Sequence, residues 1–393
     1  MHKLFLFSLL GLLGPLAAAG EEPAAPPPAP VAAAATTAPK WYEAVEVHGY
    51  VDGYYGLRFG APQNALNELR AFDQPNGFVL NLAKATVLMN PTATVPVGFR
   101  IDLGFGNTMN AIAAASPYLG PSYGANGNAE EAFKFVEQAF GTLKLGDVTV
   151  DLGRFVTSAG AEVIEAKDNW NYSRSLLFTW AIPFTHTGLR VGYAVPGIEG
   201  LTLQAGLVNG WDVTVTNSPF KTLNLAAIWN GPDSTILSLV YYGGPNPSLV
   251  TGAVAPYPSP TYGPSGNAYG GWQNLLDLVV QRAFGDLTVN VNGDLGILAG
   301  VGRWEGFSLM ARYSALGDKL RIAARYEYFW DLQGVRLGVN GGQYTEGTVT
   351  LGVPVSSNAE VRLEYRIDHA NKPIFYAGGN NDNTLEAALM AWF

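Results

Sequence analysis

The pattern that most restricts this chain is an alternation of apolar and charged residues that recurs from Trp41 to Phe393. In EVRLEYRID, residues 360–368, Val361, Leu363, Tyr365 and Ile367 share one parity, while Glu360, Arg362, Glu364, Arg366 and Asp368 share the other. A period of two is that of a β-strand, whose successive side chains point to opposite faces. VGFRIDLGF sets Val97, Phe99, Ile101, Leu103 and Phe105 against Arg100 and Asp102, and TGLRVGYAV sets Leu189, Val191, Tyr193 and Val195 against Arg190. In EVHGYVDGYYGLRF, Val47, Val51, Tyr55, Leu57 and Phe59 fall with Gly49 and Gly53, opposite Glu46, His48, Asp52 and Arg58. Charges of both signs on one face are costly unless that face is wet. The wet face lies outside in a soluble sandwich and inside, around water, in a membrane barrel.

Composition favours the second arrangement. Charged residues make up 14% of the 393 residues, against roughly 25% in soluble domains. Yet no stretch after the N-terminus approaches the ~20 continuous apolar residues of a membrane helix. The 47 Gly, 19 Tyr, 19 Phe and 9 Trp suit strands, tight turns and aromatic bands. Cysteine is absent, which excludes disulfides and lipoprotein acylation. A formal charge of -9 argues against a nucleic-acid partner, which needs a basic surface.

Residues 1–19, MHKLFLFSLLGLLGPLAAA, combine Lys3, an apolar run from Leu4 to Leu13 and a small-residue end at Ala17, Ala18 and Ala19. That is the layout of a secretory signal peptide. Residues 20–40 are rich in Pro and Ala and read as an extended, disordered tether. The folded domain is expected over 41–393.

About sixteen strands are expected, centred near residues 51, 83, 102, 139, 151, 190, 206, 225, 239, 278, 292, 311, 325, 349, 363 and 388. Alternation is weakest near 83, 139 and 225. Short links are expected at 90–96, 146–147, 196–200, 230–234, 285–286, 317–319 and 354–358. Longer ones alternate with them at 60–77, 106–130, 157–183, 210–219, 243–271, 299–305, 331–343 and 370–383. Segregating loops by length is how an all-β, up-and-down antiparallel transmembrane barrel is built, with short periplasmic turns and long extracellular loops. The stretch ALNELRAF reads as one short loop helix, and GFGNTMN reads as lacking the following helix that phosphate binding requires.

The last strand, NTLEAALMAWF, places Leu385, Ala387, Leu389, Ala391 and Phe393 on one parity and ends on an aromatic. Terminal Phe393 resembles the carboxy-terminal signal read by the barrel-assembly machinery, with Ala391 where an aromatic is commoner. GYVDGYY (49–55), FVLNLAKATV (78–87), VGFRIDLGFG (97–106), AEVIEAKDNWNYSRSLLFTWAIPFTHTGLR (161–190) and GLVNGWD (206–212) resemble, together with that strand, the outer-membrane β-barrel porin family. The resemblance spans roughly residues 44 to 393 and implies a Gram-negative outer-membrane channel, without naming its solute.

A barrel of this size leaves an aqueous lumen, and permeation depends on its narrowest point. The candidate constriction is an infolded loop, 157–183, carrying Glu162, Glu165, Lys167, Asp168, Trp170 and Arg174. Strand residues of the wet parity add Asp52, Arg58, Arg100, Asp102, Arg190, Arg312, Arg321, Arg325, Glu327, Arg362, Glu364 and Arg366. Arginines on one wall facing loop carboxylates would create a transverse field that filters ions by sign. The same residues could instead tie the loop to the wall or pair with strand neighbours. Trp170, Trp211 and Trp272 are candidates for an aromatic slide for sugars. Gly49 and Gly53 would leave room on the outer face for bending or a neighbouring subunit.

The four histidines show no metal spacing, and a Ser–His pair from Ser173 or Ser175 with His186 is the one nucleophilic arrangement conceivable. No catalytic step and no cofactor are implied. The expected partners are outer-membrane lipid, the barrel-assembly machinery and small hydrophilic solutes. A homotrimer and a monomer both fit, since an apolar outer wall reads alike against lipid and against another copy. The rival function is a non-conducting barrel acting as scaffold or adhesin through its long loops.

Overall fold

A computed structural model of the protein describes residues 41–62, 67, 69–74, 77–115, 118–119, 133–216, 219–245 and 271–393. The signal peptide expected at 1–19 and the tether expected at 20–40 lie outside the described residues. The strands are β1 (Val45–Phe59), β2 (Gly77–Met89), β3 (Val97–Phe105), β4 (Tyr118–Leu119), β5 (Val136–Leu145) and β6 (Val148–Val156). They continue with β7 (Thr185–Ala194), β8 (Leu201–Val208), β9 (Val215–Thr216), β10 (Thr222–Asn230), β11 (Ile236–Pro245) and β12 (Trp272–Phe284). The last are β13 (Leu287–Leu298), β14 (Gly302–Ala315), β15 (Leu320–Asp331), β16 (Gly342–Ser356), β17 (Ala359–Ala370) and β18 (Asn381–Trp392).

β4 and β9 form a separate parallel pair. The others close into one antiparallel barrel in which each strand pairs with its neighbours in sequence and β1 pairs with β18. Closure removes every edge of the barrel sheet, so its backbone groups are satisfied without water. All sixteen expected centres fall inside barrel strands. The apolar parity faces outward: Leu57, Ile101, Leu239, Leu278, Leu363 and Leu389 are exposed on the outer wall, the arrangement of a lipid-facing surface.

Three expectations are corrected. The connection read as 299–305 closes within 299–301, because Gly300 adopts a φ of 77° that permits a tight turn, and the alternation of β14 already starts at Gly302. Helix α1 (Asn107–Ala115) begins within GFGNTMN, at Asn107. It buries Met109 and Ile112 against the barrel interior, and its first residues are spent on Asn107 donating to the Phe72 carbonyl and Thr108 to Asn81. In ALNELRAF, the described residues 67 and 69–72 carry no helix.

The long-loop end of the barrel is filled. Leu69 and Phe72 from the first long connection, Leu176, Phe178 and Phe184 from the third, and Val335 and Leu337 from the segment before β16 join α1 in one buried cluster. Phe72 packs edge-on against Phe184 at 5.0 Å between ring centres and lies 5.4 Å from Phe178. Trp304 Nε1 donates to the Ala181 carbonyl at 3.0 Å, and Trp180 Nε1 to the Leu69 carbonyl at 3.1 Å.

Candidate functional site

The inward faces of β15–β18 and β1 carry charge in transverse rows. Strand register aligns Glu327, Glu346, Asp368 and Asp382. The next inward row is Arg325, Thr348, Arg366, Thr384 and Arg58. Below it lies Ala323, Thr350, Glu364 and Glu386, and below that Arg321, Gly352, Arg362 and Ala388. Glu360, Met390 and Asp52 follow. Acidic and basic rows therefore alternate along the barrel axis, a direct consequence of the E-x-R-x-E-x-R-x-D spacing of β17 at two residues per inward step.

Stacking the rows this way gives each buried arginine acids above or below it. Arg325 meets Glu346 at 2.6 Å, Arg366 meets Asp368 at 2.7 Å and Glu346 at 3.4 Å, and Arg58 meets Asp382 at 2.7 Å. Arg362 and Arg321 both reach Glu360 at 2.6 Å. Such pairs offset the large cost of burying isolated ions and become a liability when one partner is removed.

Much of the remaining hydrogen-bonding capacity of this wall is directed at the loop 157–183. Glu364 accepts from the Tyr172 and Ser173 amides at 2.6 and 2.9 Å, and Glu327 from the Leu176 and Leu177 amides. Arg366 donates to the Arg174 carbonyl at 2.6 Å, Arg325 to the Ser173 carbonyl at 2.8 Å, and Arg362 to the Ala166 carbonyl at 2.8 Å. Arg325 also pairs with Glu162 at 2.6 Å, and Asp52 accepts from the Tyr172 hydroxyl at 3.0 Å. Arg174 stays within the loop, donating to the Tyr172 and Ile164 carbonyls. On the opposite wall Asp277 accepts from the Gly160 amide at 3.0 Å. The loop thus crosses the lumen with its irregular backbone satisfied by wall side chains, the condition for non-helical backbone at membrane depth.

A second mooring centres on Lys84. Its ammonium donates to Asp102 at 3.3 Å, to Glu137 at 2.9 Å and to Glu165 of the loop. These three carboxylates lie close enough together to hold a metal ion, but the Lys84 ammonium already supplies the cation. Burial alone would push the Glu165 carboxyl up, and Lys84 outweighs it, holding the group below its usual range.

Other expected site residues remain reachable by water. Arg100, Arg190, Arg321, Lys167 and Asp168 have side chains between 17% exposed for Arg190 and 52% for Asp168. Arg190 pairs with Asp151 at 2.9 Å, and Lys167 with Asp168 at 2.7 Å. Arg312 is half-buried beneath the ring of Trp170. The three slide candidates are not brought together: Trp170 covers Arg312, Trp211 packs edge-on against Trp304, and Trp272 is exposed at the outer end of β12. Nor does a Ser–His pair form among the described residues. Ser173 Oγ accepts from Arg325 and Arg366, Ser175 Oγ from the Phe178 amide, and His186 Nδ1 lies 3.0 Å from the Gly210 carbonyl.

Lys84, Glu137, Arg70, Asp73, Glu346 and Asp212 are interior charges that the sequence reading passed over. Glu346 sits on the wet parity and could have been found there. Glu137 could not: it is the extra residue of a β-bulge, since Asp102 pairs with Gln138 and Leu103 with Val136, and a bulge breaks parity. Arg70 and Asp73 come from a connection with no periodicity, pair with each other, and bring Arg70 2.8 Å from Glu386.

A closed sixteen-stranded barrel with lipid-like residues outside and charge inside defines an outer-membrane β-barrel of the porin class. The chain belongs to the family described as "Putative beta-barrel porin-2, OmpL-like", whose model matches residues 44–393. Solved structures share the fold. A loop L8 deletion mutant of OmpT, an outer-membrane protein of Vibrio cholerae, aligns with a TM-score of 0.56 at 13% identity over 89% of this chain and 99% of that one. An anion-selective porin from Comamonas acidovorans gives 0.55 at 12% over 89% and 99%. The outer-membrane channel DcaP of Acinetobacter baumannii gives 0.54 at 12% over 89% and 97%. Among curated proteins none matches the sequence.

Proposed function

We propose that this chain is exported by residues 1–19 and forms a channel for passive diffusion of small hydrophilic solutes, narrowed by the loop 157–183. The observation that carries the reading is that charged inward residues beneath the loop remain open to water, among them Arg100, Arg190 and Arg321, while Arg325, Glu327, Arg362, Glu364 and Arg366 are buried against it. On the same side, Arg100, Thr142, Lys144 and Asp151 line a cavity of about 370 Å3. A lumen that is wet and charged on one side of a moored loop supports the reading of a constricted pore over that of a sealed scaffold. Phe393 would serve the assembly machinery, and a homotrimer is tested by crosslinking in native membranes.

The deciding measurement is stepwise conductance of the purified protein in a planar lipid bilayer. Discrete steps are expected. A folded barrel that inserts without conducting would reverse the reading in favour of a scaffold or adhesin presenting its long loops.

A further inference from the structure

We propose that Arg312 and Trp170 form an oxyanion-binding subsite at the edge of the infolded loop, making the channel prefer small carboxylates and phosphates over cations. The inference rests on the channel reading above and assigns its substrate class. Arg312 is an inward residue of β14 directly opposite Thr288 and Ala323, two short side chains that offer its guanidinium no charge partner. Among the described residues it has no carboxylate within ion-pairing distance, and its Nε is buried without a hydrogen-bond partner. The acids nearest to it are already engaged: Asp318 by Arg321, and Glu360 by both Arg321 and Arg362. Among the described residues, the wall arginines Arg58, Arg321, Arg325, Arg362 and Arg366 each meet a carboxylate, and Arg312 meets none.

Trp170 explains how that charge is held ready. Its ring centre lies 5.3 Å from the Arg312 guanidinium carbon, within range of a cation–π contact that fixes the plane of the fork, while its terminal nitrogens have no hydrogen-bond partner among the described residues. A planar guanidinium with free N–H edges matches a carboxylate or phosphate and offers nothing to a cation. Next to it stand Arg321 and Arg362 with their partners Asp318 and Glu360, so the charge left over in this group is that of Arg312 and the local field favours an anion. The sequence is acidic overall, but most of its interior acids are spent on arginines and loop amides. The charge a solute meets here is positive.

The test uses the full mature chain in planar bilayers under a KCl gradient. Wild type should pass chloride over potassium, and Arg312→Gln should lower that permeability ratio by about two-fold or more. Arg282→Gln, altering an exposed arginine on the outer face of β12, should leave it unchanged. Succinate and phosphate should block wild-type chloride current more strongly than that of Arg312→Gln. Should Arg312→Gln fail to fold, Arg312→Lys keeps the charge and loses the fork, so it should weaken succinate block. Equal permeability ratios and equal block in wild type and variants would overturn the subsite while leaving the channel standing. A protein that does not conduct at all refutes the channel. The subsite is then decided by saturation-transfer NMR of succinate with the protein in micelles, where a signal that Arg312→Gln does not diminish overturns it.

Discussion

Phe393 lies with its ring over the bare Cα of Gly49, so that a Cβ at Gly49 would fall 2.1 Å from Phe393 Cε1. The two residues also exchange backbone hydrogen bonds, Gly49 N to Phe393 O at 3.2 Å and Phe393 N to Gly49 O at 3.0 Å. The seam between first and last strands is therefore locked by backbone pairing and by an aromatic seated in the gap that glycine leaves. The outer-face space expected at Gly49 is filled from within the chain, whereas Gly53 sits at the register shift between β1 and β2, where a bend is needed. Gly49→Ala should cost about 1–3 kcal/mol in wild type and far less in a Phe393→Ala background. Unfolding temperatures of the four proteins, read from heat-modifiable migration on gels, check this. Additive losses would show that the ring and the glycine are not coupled.

Lys84 is the cation at the centre of Asp102, Glu137 and Glu165. Lys84→Met keeps much of the apolar stem and removes the charge, leaving three neighbouring carboxylates without their common partner. Breaking a buried pair by deleting one member costs about 3–5 kcal/mol, and here the most economical escape is for Glu165 to swing into water with its loop. The expected outcome is faster proteolysis within 157–183 and noisier, larger single-channel conductance. Adding Glu165→Gln should restore part of the stability, because it lowers the repulsion that Lys84 had neutralised.

Strand count, facing and the charged rows could be read from the chain because they depend on a local period. Glu360, Arg362, Glu364, Arg366 and Asp368 declare their rows within nine residues. What escaped depends on partners far apart or on broken parity. Arg58 meets Asp382 across 324 residues, and Arg70 reaches the wall from an aperiodic loop whose Leu69 and Phe72 look like ordinary connection residues. Glu137 reaches Lys84 only because a bulge turns it inward. The loop 157–183 was legible as a polar, aromatic insert. Which of its groups bind the wall and which meet water was not, because both kinds have the same residue types.

Asp212, in the connection after β8, is buried with a left-handed φ of 57° and accepts from the Phe184 and Thr185 amides at 2.7 and 2.8 Å. Burial pushes its carboxyl up to about 7 from an ordinary 3.8, against the pull of those amides and of Arg336 and Arg154. A folded value above the unfolded one means that this group's contribution is fully present below about pH 4 and is lost as pH rises through 7. The barrel should therefore unfold at lower temperature at pH 8 than at pH 5, by an amount worth about 2–3 kcal/mol. Asp212→Asn should flatten that slope. Parallel pH profiles for variant and wild type would place the dependence elsewhere.

Arg366 tests whether a buried wall arginine filters ions or holds the loop. It is enclosed by Asp368, Glu346 and the Arg174 carbonyl, with no edge left for a passing solute. Arg362 is spent in the same way on Glu360 and the loop carbonyls of Ala166 and Asn171. A transverse field acting on permeant ions would then come from the water-reached set, while these two act through the position of the loop. Arg366→Met leaves Glu346 and Asp368 short of a partner and the loop short of a donor, a loss of about 3–5 kcal/mol borne mainly by the mooring. Single-channel recordings should show larger, more variable steps than wild type, with a permeability ratio that moves less than in Arg312→Gln. Steps of wild-type size with a strongly shifted reversal potential would instead make Arg366 part of the ion filter.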